Sequence, residues 1–187
     1  MKKKIWTLAL FLALLWAVEL LNTSMGHRLS FYGIIPRSVT GLRGIVLAPF
    51  LHNGIAHLAL NSFPLVVLGG ALMLRGIGAF FGISLTIILA GGAGVWLLGR
   101  PAAHAGASGL IYGYFGFLIA SGWYERKLGT LLVSLMVIFL YGGLIWGLLP
   151  LRAHISWEGH IAGFLAGILA ARLFLKPATP QGRGNHG

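Results

Sequence analysis

Apolar residues in this chain come in long unbroken runs, not in strict alternation and not as one face of an otherwise polar helix. Six runs stand out, at about residues 5–21, 55–74, 80–98, 108–122, 128–149 and 155–175. A helix needs about 17–25 apolar residues to cross a bilayer, and all but the fourth run meet that length. The pattern predicts an all-α integral membrane protein. Residues 1–176 form a six-transmembrane-helix bundle, and residues 177–187 are expected to be a disordered polar tail. The fourth run makes only ~22 Å of helix against a hydrocarbon core of ~30 Å. With its inner end anchored by Glu125-Arg126-Lys127, its outer end at Ser108 is expected to lie below the membrane surface. Irregular backbone at that depth needs a protein-lined, wet cavity.

The connection between the first two runs, residues 22–53, is punctuated by Gly26, Gly33, Pro36, Gly41 and Pro49 and contains short apolar pieces. A free coil of that length is unusual in a compact protein. It is expected to fold as an amphipathic insertion at the interface. Pro64 and Gly69-Gly70 are expected to bend the second span.

Composition and charge narrow the function classes. Of the 187 residues, 57% are hydrophobic and 9% charged, which excludes a water-soluble domain. The absence of cysteine excludes thiol chemistry and zinc–thiolate sites. The net charge of +11 is scattered over helix ends, which fits membrane anchoring and not nucleic-acid binding. With the N-terminus inside, Lys2, Lys3, Lys4, Arg75, Arg126, Lys127, Arg172, Lys176 and Arg183 are cytoplasmic. Only Arg28, Arg37, Arg43, Arg100 and Arg152 are outside, so the bias predicts N-in and C-in. The basic start resembles a signal peptide. Its long apolar run, without a clean cleavage site, predicts a retained span.

This topology gathers the chemistry at the outer side. Gly106-Ala107-Ser108-Gly109 sets a serine between small residues at the start of a helix, where it is either a nucleophile or an N-cap. His160 opens the sixth span. Gly163 and Gly167 on that span face Gly109, Gly113 and Gly116 on the fourth if the two helices pack closely. That contact would bring His160 beside Ser108 as its base, with His104 a weaker alternative. The acids are Glu19, Glu125 and Glu158. None suits the third position of a triad, so a Ser–His dyad is expected. Glu19 is expected to pair with one of the following arginines. Tyr112, one turn after Ser108, either orients the imidazole or simply packs. His57 and Asn61 share a helical face and either donate to an oxyanion or bridge helices. His52 is assigned a structural role. Without a His-Glu-x-x-His element or a complementary carboxylate, no metal site and no cofactor are expected.

Three segments in this order resemble the rhomboid family of intramembrane serine proteases: Phe50-Leu51-His52-Asn53-Gly54-Ile55-Ala56-His57-Leu58-Ala59-Leu60-Asn61, Gly106-Ala107-Ser108-Gly109-Leu110-Ile111-Tyr112-Gly113, and Gly159-His160-Ile161-Ala162-Gly163-Phe164-Leu165-Ala166-Gly167. The resemblance implies a rhomboid-like bundle in which Ser108 is the nucleophile and His160 the base. It assigns the oxyanion hole to His57, Asn61 and the Ser108 amide, and stacking on the base to Tyr112. It also implies transmembrane protein substrates within a lipid bilayer, here the bacterial inner membrane, and a small residue before the scissile bond. Leu42-Arg43 departs from the Trp-Arg found in many members, which bears on how the first outer loop is held. Substrate is expected to enter sideways, past the outer end of the fifth span, Tyr141 to Leu149, and under a lid of residues 150–157, with Trp146 either a plug in the opening or an interfacial aromatic anchor. A non-proteolytic relative that binds membrane clients is the main alternative, and a small transporter a further one.

Overall fold

The computed structural model describes residues 1–151 and 155–176; Arg152 and His154 of the expected lid, and the expected tail 177–187, lie outside them. Among the described residues the α-helices are α1 Lys2–Ser24, α2 Gly44–Leu47, α3 Ile55–Met73, α4 Ile77–Leu98, α5 Ser108–Glu125, α6 Leu128–Tyr141 and α7 Trp157–Phe174. α6 continues as a 3-10 helix, Gly142–Leu148. By length and composition, α1, α3, α4 and α6 with its extension can cross a membrane. α5 and α7 are 18 residues each and carry more small and polar side chains, because they face other helices.

α5 is the axis of the bundle. It packs on α3, α4, α6 and α7, and Leu110 to Leu118 are buried without interruption. Burial forces its polar groups to find partners, so the Tyr114 hydroxyl and Ser84 Oγ are 2.7 Å apart. The helix runs past the predicted end at Gly122 to Glu125 and stops where Arg126 takes φ 50°. Gly122 is a contact and not a terminus, since a Cβ there would meet the Ser134 side chain of α6. The longer helix spans ~27 Å, so the expected shortfall against the bilayer shrinks to a few ångströms.

The glycines of α5 and α7 let two backbones touch. A Cβ on Gly163 would fall on the Gly109 carbonyl, one on Gly167 on the Gly113 carbonyl, and one on Gly116 on the Phe164 carbonyl. Where lipid replaces water, such close packing supplies the attraction between helices that hydrophobic burial cannot.

The expected 22–53 connection starts later, at residue 25 after the end of α1, and is a folded insertion on the side of α4. It contains 3-10 turns at Arg28–Tyr32, Thr40–Arg43 and Ala48–Phe50 around α2, and Ile34 pairs with His104 in an isolated antiparallel bridge. Arg37 donates to the Leu97 and Gly99 carbonyls (3.1 and 2.9 Å), capping the end of α4, and the Trp96 indole donates to the Ser38 carbonyl (2.8 Å). Leu42 is exposed, while the Arg43 guanidinium lies 4.2 Å from the Tyr32 ring centroid. A cation–π contact therefore holds the loop at the departure noted above.

Candidate active site

The serine loop is shaped by Gly106, whose φ of 131° is open to glycine and strained for other residues. It turns the chain so that α5 begins at Ser108. A Cβ at Gly106 would lie 2.9 Å from His57 Cε1 and 3.8 Å from Ser108 Oγ, so the two side chains border one small space. Contact between α5 and α7 brings His160 Nε2 to 3.0 Å from Ser108 Oγ. His160 Nδ1 is 2.8 Å from the Gly147 carbonyl, which can only accept a hydrogen bond. The proton is thereby held on Nδ1, and Nε2 is free to receive the serine proton. The Tyr112 ring stacks on the imidazole at 4.1 Å with 10° between planes, and its hydroxyl donates to the Leu144 carbonyl at 2.8 Å. The extension of α6 thus grips both rings through its backbone. Sequence reasoning missed Gly147 because a carbonyl carries no residue signature. The absence of a suitable carboxylate was the only hint.

His57 and Asn61 both arise from the first two turns of α3. Asn61 is buried, and its Nδ2 has no hydrogen-bond partner among the described residues. Leaving a buried donor unmet costs about 1–3 kcal/mol, which points to a use beyond folding. A cavity of about 60 Å³ adjoins Ser108 and is bordered by His104, Gly106 and Ser156 among others, with room for a few water molecules.

His52 is fully buried, and its Nε2 accepts from the Ala107 amide at 3.2 Å, so it is neutral with its proton on Nδ1. Burial, reinforced by the neighbouring His57, pushes its pKa down to about 4. The unfolded chain then binds this proton below its ordinary pKa of about 6.5 while the folded chain does not. Stability is therefore expected to fall as pH drops from about 6.5 to about 4, by on the order of 2–3 kcal/mol. Thermal unfolding in detergent at pH 7.5 and 5 checks this. The drop should shrink in His52→Gln, and an unchanged pH slope would assign it to other groups.

The remaining candidates sit elsewhere. His104 Nδ1 is 2.6 Å from Ser156 Oγ, the N-cap of α7, so it braces a helix end and does not reach Ser108. Glu158 faces Arg100, 3.5 Å from its Nε, and Glu125 pairs with Arg75. Among the described residues Glu19 does not meet an arginine as expected. It accepts from the Gly54 amide, Asn22 and Thr23, because the chain after α1 folds back over its end. Among the described residues no three His, Asp or Glu side chains converge as metal ligands. Trp146 is exposed on the 3-10 extension of α6.

Fold and site together define a multi-pass helical membrane protein with a hydrogen-bonded serine–histidine pair between two tightly packed helices. The rhomboid domain profile matches residues 39–177, and the chain belongs to the rhomboid family. It is 40% identical over 180 residues to an uncharacterized protein of Mycobacterium tuberculosis, covering 91% of this chain and 75% of that one. A Mycobacterium leprae protein, also uncharacterized, is 37% identical with 91% and 71% covered. The rhomboid protease GluP of Bacillus subtilis is 34% identical over 127 residues, which cover 65% of this chain and 24% of that protein.

Proposed function

We propose that this chain is an intramembrane serine endopeptidase with six spans, N-in and C-in in a bacterial inner membrane, that cleaves transmembrane segments of other membrane proteins. The observation that carries the proposal is the 3.0 Å approach of Ser108 Oγ to an imidazole nitrogen whose partner nitrogen is held by the Gly147 carbonyl. Ser108 Oγ bonds to the scissile carbonyl carbon as His160 Nε2 takes its proton. The carbonyl electron pair moves to oxygen, where Asn61 Nδ2, His57 and the Ser108 amide donate. His160 then passes the proton to the leaving amide nitrogen, the C–N bond breaks, and an acyl-serine remains. A water, deprotonated by His160, attacks that ester and returns Ser108 to its hydroxyl form. Gly109, Gly113, Gly163 and Gly167 hold the two helices at the spacing this transfer needs.

Labelling by a serine-reactive fluorophosphonate, lost in Ser108→Ala, tests the proposal. An unlabelled wild-type protein would favour a non-proteolytic rhomboid relative that binds membrane clients. Asn61→Ala is expected to lower kcat by about one to three orders of magnitude with little change in KM, since its donor acts mainly in the transition state. A loss confined to KM would make Asn61 a packing residue. Lateral access fits α6, which packs on α5 while Met136, Phe139 and Leu140 are exposed on its outer side.

A further inference from the structure

The buried acid of α1 has no part in the chemistry above, yet it is wired to it. Glu19 and Asn22 are both fully buried. Glu19 Oε1 accepts from the Gly54 amide at 2.9 Å and from the Thr23 hydroxyl at 3.3 Å; Oε2 accepts from Asn22 Nδ2 at 3.1 Å. The same Asn22 nitrogen reaches the His52 carbonyl at 2.8 Å and Ser30 Oγ at 3.2 Å, while Asn22 Oδ1 accepts from the Leu29 amide at 2.9 Å. His27 Nδ1 closes the cluster at 3.7 Å from Glu19.

What these side chains hold is the backbone of residues 52–54. Gly54 is the N-cap of α3, at φ 121°, and His57 and Asn61 follow on the first turns of that helix. The grip on Gly54 therefore sets where α3 starts and where its two donors point. Through His52 the same cluster reaches the nucleophile loop, since His52 Nε2 accepts from Ala107, the residue before Ser108. One hydrogen-bonded chain thus ties the end of α1 to both sides of the reaction centre. Polar groups at membrane depth are costly to keep for packing alone, because an apolar side chain would fill the volume without needing partners.

We propose that Glu19 and Asn22 are positioning residues of the oxyanion site, fixing residues 52–54 so that His57 and Asn61 meet the charge that develops at the carbonyl bound to Ser108. This rests on the protease reading above. A misplacement of about 1 Å can cost on the order of 100-fold in rate, so a clamp outside the site can matter as much as a donor in it.

The test measures kcat and KM of the purified full chain on one transmembrane substrate for wild type, Glu19→Ala, Glu19→Gln and Asn22→Ala, each also in an Asn61→Ala background. Wild-type turnover that disappears in Ser108→Ala comes first; without it the protease reading itself fails. Given turnover, Glu19→Ala should lower kcat about 10–100-fold with KM within about twofold. Glu19→Gln keeps an acceptor for the Gly54 amide and should recover part of the loss. It also carries the test if the alanine variant does not fold. In the Asn61→Ala background the Glu19 effect should shrink by about threefold or more, because part of what it positions is gone. Equal losses in both backgrounds, a loss confined to KM, or no recovery by glutamine over alanine would reduce the pair to a folding support and overturn the proposal.

Discussion

Ser108→Ala and His160→Ala should each abolish cleavage of a transmembrane substrate, and the double variant should be no worse than either. The reason is the single proton path between Oγ and Nε2. Without the hydroxyl nothing attacks. Without the imidazole the hydroxyl remains a weak nucleophile, whatever the oxyanion donors do. Residues that act as one unit are grossly non-additive, and losses on the order of 10⁴–10⁶-fold in kcat are expected for each. Purified proteins whose melting curves match wild type make the comparison clean. Substantial turnover by either single variant would sink the dyad.

Gly163→Ala should be the most damaging one-carbon change away from the reacting groups. The new Cβ would fall on the carbonyl of Gly109, the residue after the nucleophile, while His160 lies one turn before Gly163 on the same helix. α7 must withdraw, and the withdrawal passes directly into the Ser108–His160 hydrogen bond. Overpacking of this kind costs about 1–3 kcal/mol, and the displacement should lower kcat/KM by about 100-fold. Gly129→Ala is the control, since a Cβ there meets nothing within 4 Å. It should leave turnover unchanged and not lower stability, since the added methyl costs no contact and restricts the unfolded chain. Turnover and thermal unfolding of both variants decide the matter. Near wild-type turnover in Gly163→Ala would mean that the helices tolerate separation.

The two predictions draw on different kinds of information. Ser108, His160 and the pattern of facing glycines were legible in the chain because each depends on residue type and on position within an apolar run. The helix ends were legible to within a few residues for the same reason, and they drifted where a glycine served contact instead of termination, as Gly122 does. The fate of Glu19 was not legible. A carboxylate in an apolar span announces a need for partners, and the charge pattern suggested an arginine. One backbone amide, that of Gly54, with no signature of its own, and the side chains of Asn22 and Thr23 satisfied it.

The sequence by itself determined that this is a helical membrane protein, and it singled out the few side chains that are candidates for acyl-transfer chemistry. Those follow from the hydrophobic length a bilayer demands and from the few groups able to act as nucleophile, base or donor. Tertiary structure alone decided that the Gly147 carbonyl fixes the tautomer of His160, and that α1 clamps the start of α3. It also decided that the 22–53 connection caps α4. In each case one partner is a backbone group, and every residue type offers the same carbonyl and nearly every one the same amide. Only the folded path of the chain selects which of them meets a side chain.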